Sequence, residues 1–298
     1  MRIIQLSDIH VWRYSWNPLR LMSKRTVGIV SLLAGRAKRF RLERLAEVVE
    51  RARALEPDHV LITGDLTTTA LPAEFADARA ALAPLLTDPS RATVIPGNHD
   101  RYTSRSVRNR YFEATFGEFM PRPTFPWLRP VDEKTAILGL DATRSHLSAT
   151  GRLPVRQLDE ARSLVADPAT RPHRLIVACH YPVVAPPVYA AELAAKRMKN
   201  AEEVRAWLST VGRHLYCCGH VHAAWAYEPP DWRDHLSLNS GAPLLRDPTG
   251  LRPPGFLEIT LHDTAVSAVH HAWLGHEWAA VPLFQDPSFF TAEAAAVG

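Results

Sequence analysis

Residues 3–10 read IIQLSDIH, so a short apolar run is followed at once by an aspartate and, two positions later, by a histidine. A run of this length and composition is typical of a buried β-strand. Alternate side chains of an extended chain share a face, so Asp8 and His10 should point to one side of the strand end. This stretch predicts a buried strand that carries two candidate metal ligands at its carboxyl end.

Four further apolar runs, at residues 59–63, 92–95, 174–178 and 214–218, are also followed closely by a candidate metal ligand. In open α/β sheets, sites gather at the carboxyl ends of strands, where loops can bring distant residues together. A glycine directly precedes three of the candidate ligands and permits a tight turn there. The ligands that follow the four runs are Asp65, Asn98, His180, His220 and His222.

Helix-like periodicity separates the runs, at residues 41–55, 72–86, 157–166 and 201–208. Strands that alternate with helices indicate an α/β fold. After Gly219 the helices stop, and residues 236–238, 256–261 and 265–271 are expected to be strands of a second sheet. Because the ligands span positions 8 to 222, we assign residues 1–275 to one catalytic domain, with an insert at 11–42, and residues 276–298 to a C-terminal tail.

The seven candidate ligands are two aspartates, four histidines and one asparagine. This mixture of imidazole and carboxylate suits borderline divalent metals such as Mn, Fe, Zn or Co, among which we favour Mn. Seven ligands are too many for one tetrahedral ion but fit two ions that share a bridge, and a carboxylate such as Asp65 is the best bridge. Two ions ~3.5–4 Å apart can hold the attacking and the leaving oxygens of a phosphoryl displacement.

Taken in order, the motifs D-x-H at 8–10, GD at 64–65, GNHD at 97–100, His180 and GHxH at 219–222 resemble the signature of the calcineurin-like metallophosphoesterases. The resemblance implies two mixed β-sheets in a sandwich flanked by helices, with a dinuclear metal site at the C-terminal edge of the strands. It implies that Asp8, His10 and His222 bind one metal, that Asp65 bridges, and that Asn98, His180 and His220 bind the other. It also implies that His99 stabilises the phosphoryl oxygens or protonates the leaving group, with Asp100 orienting its ring.

The insert at 11–42 contains eight lysines and arginines and no acidic residue. The whole chain has a net charge of +4, so the insert supplies +8 and the remainder carries −4. Basic segments with interleaved aromatic and aliphatic residues bind anionic membrane surfaces. The alternative is a structural cap whose cations are solvated. The acidic balance of the remainder argues against a nucleic-acid partner.

A second basic cluster follows the ligand His180, at Lys196, Arg197 and Lys199. These cations are candidates for binding a substrate phosphate, and the alternative is a solvated helix start. The other nine histidines and the three cysteines are expected to be surface or packing residues. The odd cysteine count suits a reducing compartment. No segment is long and apolar enough to span a bilayer, and no removable leader is expected before Asp8. We therefore expect a cytoplasmic protein, or one peripheral on the inner face of the membrane.

Two functions remain open. The basic, apolar insert after D-x-H resembles that of the calcineurin-like UDP-2,3-diacylglucosamine pyrophosphatases, which implies a lipid-linked substrate. The motif set and chain length also resemble soluble 3',5'-cyclic-nucleotide phosphodiesterases of the same family. A scaffold without enzymatic activity would have lost ligands, and here all seven are present. The sequence does not specify the oligomeric state.

Overall fold

A computed structural model describes residues 1–13, 39–145 and 149–291. Two six-stranded mixed sheets face each other between helices, which confirms the predicted fold class. The strands of the first sheet are, in spatial order, Trp278–Asp286 (β12), Val266–Trp273 (β11), Gly255–Leu261 (β10), Arg2–Leu6 (β1), His59–Ile62 (β2) and Ala92–Val94 (β3). Those of the second are Trp127–Pro130 (β4), Thr135–Gly139 (β5), Arg174–Ala178 (β6), His214–Cys218 (β7), His235–Ser240 (β9) and Ala224–Tyr227 (β8).

All four predicted helices are present, with slightly different ends. The described α-helices are Leu45–Arg53 (α1), Pro72–Leu82 (α2), Ser104–Arg108 (α3), Tyr111–Phe116 (α4), Val155–Ala166 (α5), Ala190–Lys196 (α6) and Ala201–Leu208 (α7). The apolar face predicted for α1 is buried at Leu45, Val48, Val49 and Ala52. Pro72 occupies the first turn of α2, where its missing N–H costs nothing.

The late strands do not form a sheet of their own, contrary to the prediction. Strand β9 lies parallel to β7 in the second sheet, whereas β10 pairs antiparallel with β1 in the first. Strands β9 and β10 each pair with an early strand, and β11 then pairs with β10. A local sequence pattern does not encode this choice of partner. Within the segment assigned to the tail, β12 extends the first sheet by pairing with β11 from Trp278 to Asp286.

The two sheets bring their strand ends to one edge of the sandwich. Strands β1, β2 and β3 run parallel in one sheet, and β6 and β7 run parallel in the other. The sheets are joined near this edge because Gln5 Nε2 and Thr63 Oγ1 donate to the Cys218 carbonyl at 2.9 and 3.2 Å. All three cysteines are buried and unpaired, and no described helix is long and apolar enough to cross a bilayer.

Candidate metal centre

The first group of ligands forms a compact cluster at the ends of β1, β2 and β7. Asp8, His10, Asp65 and His222 each offer one ligand atom, and these atoms lie within 4.8 Å of one another. Nε2 of His10 is 3.1 Å from Nε2 of His222, which is 3.3 Å from Oδ1 of Asp8. Three of the four residues are buried. A carboxylate and imidazole set of this size fits one divalent transition-metal ion.

The second group lies on the other side of Asp65. Nε2 of His180 is 3.2 Å from Oδ1 of Asn98 and 3.4 Å from Oδ2 of Asp65. The same Oδ2 atom is 3.7 Å from Nε2 of His10 in the first group. The His220 ring lies 5.1 Å from the His180 ring, centroid to centroid. Asp65 therefore stands between the two groups, as a bridging carboxylate requires.

Two backbone carbonyls set which ring nitrogen can bind a metal. Nδ1 of His180 is 2.8 Å from the Thr63 carbonyl oxygen, so it donates there and leaves Nε2 as the ligand. Nε2 of His220 is 2.9 Å from the Lys196 carbonyl oxygen, which leaves Nδ1. Such partners fix the tautomer and orientation of a ligating histidine. Sequence analysis missed both, because a backbone carbonyl has no signature in the sequence.

The backbone is strained at five of the seven ligands. Asp8, His10, Asp65, His220 and His222 have φ values of 53°, 54°, 54°, 74° and 59°. Left-handed backbone is uncommon outside glycine, costs of order 1–3 kcal/mol per residue, and clusters at functional sites. The packing of the surrounding fold must offset this conformational cost. Such a cost at the ligands is typical of a functional site.

Two glycines let the loops at the centre touch. A Cβ on Gly64 would lie 2.4 Å from the Gly97 nitrogen, and a Cβ on Gly97 would lie 2.2 Å from Oδ1 of Asp65. Gly64 also has a left-handed φ of 94°. The glycines that precede Asp65 and Asn98 therefore permit the close backbone approach that the sequence predicted.

The buried charges favour a metal-binding protonation state at Asp65, Asp8 and His220, but not at His180. Burial alone would raise the pKa of Asp65, but His180 and His99 hold it well below its usual range. Burial would also raise the pKa of Asp8, and His222 lowers it below its usual value. Burial and the neighbouring His180 lower the pKa of His220 to about 3, so this ring stays neutral. Ionised aspartate and neutral imidazole are the forms that bind metals. Burial would lower the pKa of His180, but the Asp65 carboxylate raises it to about 9, so a metal must displace a proton from that ring.

His99 lies beside the cluster, 4.9 Å from the His10 ring, and stacks on Tyr102. Asp100 does not orient it, contrary to the prediction. Nδ1 of His99 donates to the Thr68 carbonyl oxygen at 2.7 Å. The Asp100 carboxylate instead accepts from the Leu66, Thr67 and Gly97 amides and the Thr67 hydroxyl. A carboxylate satisfies several amides of a tight loop at once, so Asp100 holds the loop and Thr68 holds the ring.

The three residues of the second basic cluster lie in different environments. The Lys196 ammonium donates to the His220 carbonyl at 3.0 Å and pairs with Glu192 at 2.8 Å, so Lys196 supports a metal ligand. Arg197 and Lys199 are exposed, and their backbones hydrogen-bond to Gly151. Whether the two exposed side chains bind substrate stays a prediction.

Comparison with known proteins agrees with this geometry. The family model of the calcineurin-like phosphoesterases matches residues 1–224. The chain belongs to this family. Its members are metal-dependent phosphoester hydrolases with a dinuclear centre, and the two ligand groups fit two metal ions. No curated protein matches the chain closely enough to serve as a relative.

Similar solved structures include a purple acid phosphatase from yellow lupin seeds, with 12% identity and a TM-score of 0.61. The match covers 94% of this phosphoesterase and 52% of the lupin enzyme, so the chain spans about half of that protein. A predicted phosphoesterase from Streptococcus pneumoniae has 13% identity and a TM-score of 0.41, and the match covers 96% and 97% of the two chains. Vacuolar protein sorting 29 from Cryptosporidium parvum has 11% identity and a TM-score of 0.43, with 96% and 97% coverage. At these identities the first likeness supports the fold alone.

Proposed function

We propose that this phosphoesterase hydrolyses a phosphodiester or pyrophosphate bond of a lipid-linked substrate at an anionic membrane surface. UDP-2,3-diacylglucosamine is the first substrate to test. One observation carries the proposal: both ends of the basic insert are attached at the metal centre. Val11 forms a bridge with Thr67, and Phe40 forms a bridge with Leu245.

The attachment at each end is close to the ligands. The Val11 amide donates to the Leu66 carbonyl at 2.8 Å, one residue after Asp65. The Phe40 ring is 4.5 Å from the His10 ring and 5.7 Å from the His222 ring. Residues 14–38 lie outside the described residues. The prediction that this segment is either a membrane-binding segment or a structural cap therefore falls outside them as well. A lipid bound by this segment would have its head group near the two ligand groups.

Two exposed apolar side chains in neighbouring loops also support a lipid-linked substrate. Leu251 and Val188 are 78% and 79% exposed. Their loops are neighbours, because the Arg252 guanidinium lies 5.1 Å from the centroid of the Tyr189 ring. Single exposed apolar residues are ordinary. Leu251 lines the same cavity as the metal ligand His222 and the insert residue Arg39, so the two side chains suit contact with acyl chains.

The chemistry of the proposal follows from the donor set. When bound, two borderline divalent ions, for which we favour Mn, supply Lewis acidity and a nucleophilic water at neutral pH. Asp8, His10, Asp65 and His222 would hold one ion, and Asp65, Asn98, His180 and His220 the other. Nδ1 of His99 donates a hydrogen bond to the Thr68 carbonyl, so we assign the role toward the substrate to Nε2.

Co-sedimentation with vesicles tests the membrane part. Each cation near an anionic surface contributes about 1 kcal/mol, so four contribute about 4 kcal/mol. We expect salt-sensitive binding to anionic vesicles and little binding to neutral ones. Changing Lys24, Arg25, Arg36 and Lys38 to glutamine should release the protein. The matched control changes four exposed arginines elsewhere, Arg51, Arg105, Arg108 and Arg156, to glutamine and should not.

A hydrolysis panel with Mn²⁺ tests the substrate. We expect the lipid-linked nucleotide diphosphate to be cleaved in preference to 3',5'-cyclic AMP. If the wild type ignores anionic vesicles at low salt and prefers the cyclic nucleotide, the soluble cyclic-nucleotide phosphodiesterase becomes the better assignment.

A further inference from the structure

A cavity of about 820 Å³ opens beside the metal ligand His222. Its walls come from the last residues of the insert, from helix α6 and from the loop between β9 and β10. A volume of this size accommodates a group as large as a nucleoside. The residues that carry charge in its lining are Arg39, Glu192, Lys196, Arg246, Asp247 and Arg252.

Four of these charges are satisfied within the protein. Lys196 and Arg252 both pair with the Glu192 carboxylate, at 2.8 and 2.5 Å. Burial would raise the pKa of Glu192, but these two cations lower it to about 2, so the group stays ionised. The Asp247 carboxylate accepts from the Thr249 and Arg252 amides and closes a turn.

The other two cations, Arg39 and Arg246, have no such partner. Both side chains are exposed, and within residues 1–13, 39–145 and 149–291 no carboxylate pairs with either guanidinium. Their backbones are joined, because the Arg246 amide donates to the Arg39 carbonyl at 2.6 Å. The adjacent bridge between Phe40 and Leu245 ties this pair to the metal centre through the Phe40 ring.

Two like charges on hydrogen-bonded residues that line one cavity repel each other, and a bound anion relieves that repulsion. Arginine presents a planar fork that matches phosphate and carboxylate oxygens. We propose that Arg39 and Arg246 form a subsite for a second anionic group of the substrate, beyond the phosphate that is cleaved. This inference rests on the proposed function, and it requires a substrate with two anionic groups.

Matched chromogenic esters test the subsite with the Mn²⁺-loaded protein. Thymidine 5'-(p-nitrophenyl phosphate) has one anionic group, and its 3'-phosphate and 3'-succinate derivatives add a second one with the same leaving group. We expect the wild type to prefer the doubly anionic esters. The double variant Arg39→Gln and Arg246→Gln should lose roughly 10–100-fold in kcat/KM on the preferred ester. It should stay within about twofold on the singly anionic ester.

The control variant Arg156→Gln removes an exposed arginine on α5 and should change the rate on none of the three esters. A preference for the 3'-phosphate over the 3'-succinate would identify a phosphate site, and the reverse a carboxylate site. Equal kcat/KM for all three esters, or equal losses on all three in the double variant, would overturn the subsite while hydrolysis itself stands. Failure of the membrane proposal has a different readout, since it appears in vesicle binding and not in the ester comparison.

Discussion

Gly97→Ala should damage the metal centre without touching a ligand. The new Cβ would lie 2.3 Å from the Asp65 nitrogen, whereas ordinary contact begins at 3.4 Å, so the loops must separate by 1.1 Å at that atom. The same Cβ would lie 2.2 Å from Oδ1 of Asp65, which accepts a hydrogen bond from the His99 amide at 2.7 Å. Neither atom is the free end of a flexible side chain, so the backbone has to move.

The cost follows from these contacts. Overpacking a tight site costs about 1–3 kcal/mol, and the severe overlap with a backbone atom places Gly97→Ala near 3 kcal/mol of unfolding free energy. Because the displaced carboxylate lies between the two ligand groups, the affinity for both metals should fall by roughly 10–100-fold. Urea denaturation in EDTA measures the packing cost alone, and equilibrium dialysis with elemental analysis measures the metals.

Gly117→Ala is the matched control. A Cβ at Gly117 meets nothing within 4 Å, and its φ of −60° suits any residue. This variant should be as stable as the wild type or gain about 0.4–1 kcal/mol, because alanine restricts the unfolded chain. If the two variants are equally stable and both bind two metals with normal affinity, the close approach between residues 65 and 97 is not needed.

Three further predictions concern single side chains. Asp65→Ala should lose both metals and Asn98→Ala mainly one, since Oδ2 of Asp65 faces His10 and His180; two metals retained in the Asp65 variant by elemental analysis would remove the bridge. His99→Ala should keep both metals and lose roughly 10²–10⁴-fold in rate, less with a p-nitrophenolate leaving group; equal losses on good and poor leaving groups would favour electrostatic stabilisation instead. Burial lowers the pKa of His214 to about 4, so the unfolded ring, with its pKa of 6.5, takes up a proton first as the pH falls. Because of this ring, the free energy of unfolding should fall by about 2 kcal/mol between pH 7.5 and 5. Urea denaturation at several pH values measures this fall, and His214→Asn should remove that part of it. The same pH dependence in the variant and the wild type would contradict the prediction.

The sequence by itself determined the α/β class, the strands β1, β2, β3, β6 and β7, and the residues that follow them. The five strands are confirmed, and Asp8, His10, Asp65 and His222 do meet in one cluster, because burial and side-chain chemistry are local properties. A short apolar run indicates a buried strand, and aspartate, histidine and asparagine at its end are side chains that bind divalent metals. Asp8 and His10 do lie in one cluster, but not because the chain is extended there. Asp8, His10, His220 and His222 all have left-handed φ values, so the turn that presents each side chain belongs to the tertiary structure.

Only the tertiary structure decided which sheet each strand joins, what holds each ring and which cations stay unpaired. Strand β10 pairs with β1 across about 250 residues, and no local pattern encodes so distant a partner. The carbonyls of Thr68 and Lys196 orient His99 and His220, yet every residue has a carbonyl, so the sequence does not distinguish these two. Lys196 and Arg246 look alike as cations in the sequence. They differ because the fold pairs Glu192 with the first, whereas no carboxylate of the described residues forms an ion pair with the second.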